Sequence, residues 1–280
     1  MSSAATAATE TRRHPIPIRR PGLDFSVDIP RHWAGGSPFA THMFNATNLL
    51  FPQGERFFIR AVNDYMSDIE DPELRREARA FAGQEAVHGQ EHEAYFEALR
   101  RQGYQIDGYL RAFHWIERFM SLFPRSIRLS ITAGAEHYTA TLGHFALSAQ
   151  HPRDFHPTME KLVVWHATEE VEHKAVAFDI MQGAGIGYVK RIAGFLIASL
   201  FIGGYSAVVS RRLMRQDGMK SADIRAARKA MFARHQGRDA EAIGFAGRQL
   251  KAYFRRDFHP NEIDDLKLAH DRLAETGLES

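Results

Sequence analysis

Phe81-Ala82-Gly83-Gln84-Glu85-Ala86-Val87-His88-Gly89-Gln90-Glu91-His92 lies within a longer helical pattern, and its reading decides the fold. Around it, Leu74, Ala78, Phe81, Glu85, His88, His92, Tyr95 and Leu99 recur at alternating steps of four and three. That spacing places them all on one helical face. The face is apolar at both ends and ionisable in its middle. Asp71 suits an N-cap, Pro72 suits the first helical turn, and Gly103 is placed to stop the helix.

The pattern occurs a second time. Met159, Val163, His166, Glu170, His173, Ala177 and Ile180 form another apolar stripe with an ionisable centre. Burying a lone carboxylate costs several kcal/mol. Two stripes with the same defect therefore need a common compensator, and a metal ion supplies one. Glu85/His88 and Glu170/His173 are both Glu-x-x-His pairs, which set a carboxylate and an imidazole one turn apart. Bundle dimetal sites add one Glu from each of two further helices. Glu55, in Phe51-Pro52-Gln53-Gly54-Glu55, and Glu136, in Thr132-Ala133-Gly134-Ala135-Glu136, precede the two pairs at similar distances. The expected metal ligands are Glu55, Glu85, His88, Glu136, Glu170 and His173.

His92 and His166 share faces with these ligands. They are read as catalytic candidates: extra ligands, hydrogen-bonding supports for the ligands, or a proton shuttle, against ordinary pocket histidines. His137 points about 100° away from Glu136 on a helix and belongs to core or surface. Glu91, Glu169 and Glu172 fall off the stripes and read as solvated, or else as hydrogen-bonding partners of the ligands. Ala133, Ala140 and Gly143 leave room beside Glu136 for a small substrate, or serve close helix packing.

Asn45–Phe58, Phe81–His92 and Trp165–Phe178 resemble the bacterial family described as predicted metal-dependent hydrolase. The second segment carries Phe-x-x-Gln-Glu-x-x-His-x-x-x-His. The third carries Trp-His-x-x-Glu-Glu-x-Glu-His-Lys. The resemblance covers about residues 20–215 and implies hydrolysis. The ligand pattern also looks like that of ferritin-like di-iron carboxylate proteins, which implies a four-helix bundle and oxygen chemistry. His92 and His166 depart from the simplest pattern of four Glu and two His.

The other stretches agree with an all-α chain. A first helix is expected over 39–68, interrupted or kinked at Pro52. A third region covers 107–149 and is split at Pro124. A fourth helix runs from Pro157 to Gly183. Residues 1–22 hold Arg12, Arg13, Arg19, Arg20 and three prolines without an apolar core. They predict a disordered basic arm, not a signal peptide. The expected divisions are that arm, a metal-binding bundle over 23–185, a hydrophobic helix over 186–216 and a helical extension over 217–280. Ile192–Ser210 has no charge and is flanked by Lys190, Arg191, Arg211, Arg212 and Arg215. It reads as a helix buried on the bundle, as one resting on a membrane surface, or as a span.

The chain has 280 residues, 44% of them hydrophobic, enough for a sizeable core. With 36 Lys+Arg against 34 Asp+Glu, its net charge of +2 builds no field toward nucleic acid. With no Cys, thiolate sites and disulfides are excluded. His and carboxylate donors suit iron first, then manganese or zinc.

The sequence thus predicts a ferritin-like four-helix bundle with added helices, holding two metal ions. The leading functional expectation is a di-iron oxidase or oxygenase that acts on a lipophilic or other small organic substrate, supplied by an electron donor. Dimetal hydrolysis and non-enzymatic metal binding are the alternatives. A cytoplasmic location, contact with the inner membrane face and a homodimer complete the expectations. No phosphate loop, Rossmann fingerprint or nucleophile elbow marks a substrate class.

Overall fold

The computed structural model describes residues 14–237 and 239–278. It is all-α. Its helices are α1 (Pro38–Asn63), α2 (Pro72–Arg101), α3 (Asp107–Met120), α4 (Arg125–Ser148), α5 (Pro157–His173), α6 (Val176–Gly183), α7 (Tyr188–Gln216), α8 (Ser221–Gln236), α9 (Ala240–Ala252) and α10 (Leu266–Glu275). Among the described residues the one strand-like pairing is an isolated bridge, Ala34 to Phe155.

Local chemistry sets the helix ends. The Asp71 carboxylate accepts from Glu73 N–H at the start of α2. Gly103, at φ 88°, ends it in the left-handed region that favours glycine. Pro124 separates α3 from α4. Pro52, expected to interrupt the first helix, lies inside an unbroken α1. The helix expected over 157–183 is instead two, α5 and α6, parted at Lys174–Ala175. There Lys174 Nζ turns to Ile263 O at 2.8 Å and Asp265 Oδ1 at 2.5 Å, contacts far along the chain.

α1 and α2 form one pair, α4 and α5 the other, and α7 lies across α1 and α4. The α4–α7 crossing depends on two glycines. A Cβ on Gly194 would lie 2.2 Å from the Ser130 backbone, and one on Gly134 would lie 2.5 Å from Phe195 Cα. Gly143 likewise packs against Ala167, whose carbonyl oxygen would be 3.1 Å from a Cβ there. Close helix packing, not substrate space, thus explains Gly143. The C-terminal part shares the bundle core: Tyr253 stacks on Phe195 at 4.7 Å, and Phe258 meets Phe178 at 5.9 Å. α7 alone among the described helices is long and apolar enough to cross a membrane. One of its faces is nevertheless committed to α1 and α4.

The basic arm expected over 1–22 needs correction. Residues 1–13 lie outside the described residues, but 14–22 run along the bundle. Gln84 Nε2 donates to Pro17 O at 2.8 Å, and the Ile18 side chain sits over Gly83. Arg19 pairs with Glu169 and Glu172. Composition marked Arg19 as solvated because its partners are carboxylates 150 residues away.

Candidate metal centre

Four helices meet around one buried ionisable cluster. α1 supplies Glu55, α2 supplies Glu85, His88 and His92, α4 supplies Glu136, and α5 supplies His166, Glu170 and His173. None of these side chains belongs to a residue more than 5% exposed. Each sits mid-stripe on its helix, so burying the apolar ends of the stripes carries the ionisable centres inward.

His173 Nε2 lies 3.1 Å from Glu136 Oε2, 3.2 Å from Glu85 Oε1 and 3.6 Å from Glu170 Oε2. His88 Nδ1 lies 3.9 Å from both Glu85 Oε2 and Glu170 Oε1. Glu85, Glu136 and His173 form one group whose ligand atoms lie within 4.8 Å of one another, and Glu55, Glu85 and His88 form another. Glu85 belongs to both and so stands between them. His166 joins His88 and Glu170 in a further such group, and joins Glu55 and His92 in a fourth. The structure therefore brings all eight sequence-derived residues together.

The cluster's polar atoms are largely unpartnered. Both oxygens of Glu55, Glu85 and Glu136, together with His88 Nδ1 and His173 Nε2, accept or donate no aligned hydrogen bond. The short His173–Glu136 approach lacks the alignment of one. Buried carboxylates in that condition cost several kcal/mol each unless a cation meets them. The donor set fits such cations: carboxylate oxygens and imidazole nitrogens pointing at shared points, with no thiolate.

Without a cation the members of the cluster hold protons unequally. Burial raises Glu55 and Glu85 well above the usual carboxylate range, and neighbouring carboxylates add to the shift. Burial also lifts Glu136, to about 7, although His173 pulls it down. Burial opposes the charge on Glu170, but the adjacent imidazoles of His166 and His173 outweigh it and hold the group well below its usual range. For His173, burial lowers the value while Glu136 and Glu170 outweigh it, leaving the imidazole well above its usual range. His88 and His92 are lowered well below theirs, by burial first and then by His166.

The far side of each ligand histidine is held by a hydrogen-bond acceptor. His88 Nε2 bonds Glu169 Oε2 at 3.0 Å, which leaves Nδ1 facing the centre. His173 Nδ1 bonds Gln84 Oε1 at 2.9 Å, which leaves Nε2 facing it. The Gln84 amide is itself oriented, because its Nε2 donates to Pro17 O and, at 3.0 Å, to Glu172 Oε2. Such outer bonds fix the tautomer and ring angle of a ligating histidine. Glu169 also accepts from Trp165 Nε1 at 3.1 Å, and burial raises its carboxyl to about 7 against the pull of Arg19. Glu169 and Glu172, read from sequence as solvated first, are fully buried partners of the centre. Their neighbours Glu170 and His173 were one available signal; the decisive partners, Arg19 and Gln84, are distant in sequence. Glu91 is partly buried and takes backbone hydrogen bonds from Gly22 and Leu23.

His92 and His166 form a chain toward the centre. Asn48 Nδ2 donates to Phe44 O, so its Oδ1 accepts from His92 Nδ1–H at 2.6 Å. His92 Nε2 then accepts from His166 Nδ1–H at 2.6 Å. His166 Nε2 is left facing Glu170 Oε1 at 2.8 Å. Thr139 Oγ1 donates to the other oxygen of Glu170. His137 turns away, as its angle on α4 predicts, and bonds Gln249 O at 2.9 Å. Glu55 needs the room that Gly89 leaves: a Cβ at Gly89 would lie 3.1 Å from Glu55 Oε2.

A match to the family described as predicted metal-dependent hydrolase spans residues 17–264. The chain belongs to this family. The matched range contains every residue of the centre, and also Arg19 and Gln84. The family description names metal dependence, which the unpartnered donors fit, and a hydrolytic activity. It stands closer to the hydrolase alternative than to the leading expectation of an oxidase. Nothing among curated proteins or solved structures matches the chain.

Proposed function

We propose that the bundle centre binds two divalent cations and that the protein hydrolyses a small substrate there. The observation that carries the metal reading is the set of buried, unpartnered oxygens on Glu55, Glu85 and Glu136, facing two imidazole nitrogens. Four carboxylates match the charge of two dications. The family description supports hydrolysis. Two metals at such a site supply a water of lowered pKa and polarise the bond to be cleaved.

The chain's own contribution is orientation and proton handling. Glu85 lies between the two donor groups and fixes their separation. Glu169 and Gln84 hold the ligand imidazoles. His166 Nε2 can take a proton from the reacting water. It passes the proton on Nδ1 to His92 Nε2, and Asn48 stabilises the charge at Nδ1 of His92. Returned along the same path, that proton serves the leaving group. The same Nε2 lone pair lies within ligand reach of His88 and Glu170, so metal content in His166→Gln separates the two roles. Unchanged loading with lost turnover supports the shuttle, and lost loading supports a ligand.

A second reading, a di-iron oxidase or oxygenase, is favoured by one observation. Hard carboxylate donors dominate a centre whose ligands are almost wholly shut from solvent. The deciding experiment loads the protein separately with Zn(II), Mn(II) and Fe(II). Each form is then assayed against ester, amide and phosphoester panels, and the Fe(II) form is exposed to oxygen. Hydrolysis without oxygen uptake supports the first reading. Rapid oxygen uptake by the Fe(II) form without hydrolysis replaces it with the second.

A further inference from the structure

The segment before α1 reaches both ligand histidines through one residue. Arg19 NH1 and NH2 bond the two oxygens of Glu172, each at 2.8 Å. The Arg19 backbone N–H and NH1 reach Glu169 Oε1 at 3.3 and 3.4 Å. From Glu169 the next bond is to His88, and from Glu172 it runs through Gln84 to His173. A second residue of the segment supports the same arm, since Pro17 O holds the other N–H of Gln84. His270 Nε2 adds a 2.9 Å contact to Glu172 from α10. Arg19 is the one permanent cation among the described ion pairs of the buried Glu169 and Glu172, whose other partners there are the imidazoles of His88 and His270.

We propose that Arg19 is a positioning residue that sets both metal-binding histidines, and that residues 17–19 act as a strap tuning the metal centre. This rests on the metal reading above. The fork geometry suits an arginine: the planar guanidinium engages Glu172 with two parallel bonds and still reaches Glu169, which a lysine ammonium cannot do. Losing it leaves two buried carboxylates short of donors. The Glu169 and Glu172 side chains then rotate toward other donors, and His88 and His173 lose their fixed angle. Supports of this kind typically change metal affinity by roughly 10–100-fold.

The test uses cobalt(II) as the bound metal, because its visible spectrum reports ligand geometry. Full-length protein, Arg19→Ala and Arg19→Lys are titrated with Co(II) after metal removal, and the metal-free unfolding temperature of each is recorded. The expected result is a Co(II) affinity lowered on the order of ten-fold or more in Arg19→Ala, with shifted absorption bands. Arg19→Lys should restore part of the affinity and less of the spectrum. Unchanged affinity and bands in a folded Arg19→Ala overturn the proposal. If wild-type protein takes up no Co(II), the metal reading fails first, a result separable from failure of the strap alone.

A different set of residues carries an independent inference. α7 has no acidic residue; Lys190, Arg211 and Arg212 are exposed near its two ends. Between them Leu196 is 54% exposed, Leu200 69% and Val208 58%. α3 touches α7 at Tyr205, which meets the Phe113 ring at 5.0 Å and donates to Tyr109 O at 3.2 Å. α3 exposes Trp115 (68%) between Arg111 and Arg118, and Phe119 (57%) directly after Arg118. Apolar side chains bordered by cations, with Trp among them, match the layer where acyl chains meet anionic headgroups.

We infer that the exposed apolar side chains of α7, with those of α3, dock on an anionic membrane surface. The test is co-sedimentation with vesicles of phosphatidylglycerol and phosphatidylcholine against phosphatidylcholine alone, with solution mass measured in parallel. Binding only to the anionic vesicles, weakened by salt and lost in Trp115→Ser/Leu200→Ser, is the expected result. Absence of vesicle binding, or a solution dimer dissolved by the same double variant, overturns it.

Discussion

Two His–carboxylate clusters in this protein look alike in a list of residues and differ in their hydrogen bonds. In the bundle centre, carboxylate oxygens of α1, α2 and α4 face imidazole nitrogens without partners. In the second cluster, at the end of α7, Asp217 is surrounded by donors. Its Oδ2 accepts from His42 Nε2 at 2.6 Å and His32 Nε2 at 2.8 Å. Its Oδ1 accepts from Tyr104 OH at 2.7 Å and Arg31 Nε at 2.8 Å. His32, His42 and Asp217 also have ligand atoms within 4.8 Å of one another. Asn45 Oδ1, however, accepts from Trp33 and Tyr95, so its amide nitrogen faces His42 Nδ1. That leaves the proton on His42 Nε2, directed at Asp217. The cluster is complete without a cation. Proximity alone does not make a metal site; unpaired donors do.

The sharpest break in this comparison is metal loading. Glu85→Ala, which removes the ligand common to two donor groups, should lower metal affinity more than 100-fold, while Asp217→Asn leaves it unchanged; equilibrium dialysis with Zn(II) or Fe(II) checks both. Stability should respond in the opposite sense. Asp217→Ala should cost ~2 kcal/mol in denaturant unfolding, a figure reduced because His32 and Arg31 are partly exposed. Metal-free Glu85→Gln should instead gain ~1 kcal/mol at neutral pH, since the buried Glu85 carboxyl must take up a proton on folding and the amide need not.

A smaller effect comes from Gly89. Gly89→Ala crowds Glu55 Oε2 and should weaken metal binding on the order of ten-fold, with little change in metal-free stability. Isothermal titration of metal into the variant measures it.

The pH response distinguishes the clusters least strongly but with a definite sign. Glu136 and Glu169 have folded values of about 7, above their unfolded ones, and Glu55 and Glu85 are raised as well. The folded metal-free protein therefore binds more protons, and its stability falls as pH rises through 7. His173, also raised, acts in the same direction. His42 is lowered by burial, as are His88 and His92. Their contributions run the other way and are complete above about pH 6.5. Unfolding temperature of the metal-free protein should thus decline from pH 7 to 8. Bound metal should flatten that slope, and Asp217→Asn should leave it in place.

What could be read from sequence follows the same division. Glu85, His88, Glu170 and His173 were legible because a helix repeats every 3.6 residues and turns spacing into direction. Glu55 and Glu136 followed from duplication of the pattern. The helix break after His173 was not legible, because Lys174 is drawn to Asp265 by a contact that no local pattern announces. Nor was the strap: Arg19 meets Glu169 and Glu172 only after α5 has folded against α2. The Asp217 hub joins a loop, α1, the α2–α3 connection and the end of α7, which no periodicity links. The hydrophobic helix was visible from composition, but its seat on α4 depends on contacts between Gly134 and Gly194 that spacing does not reveal.

The most direct test counts metal ions per chain by elemental analysis, after loading and desalting, in wild-type protein and in Glu85→Ala. Two ions per chain are expected in the first and near none in the second. Wild-type protein that retains no stoichiometric metal, or Glu85→Ala that retains as much as wild type, contradicts it.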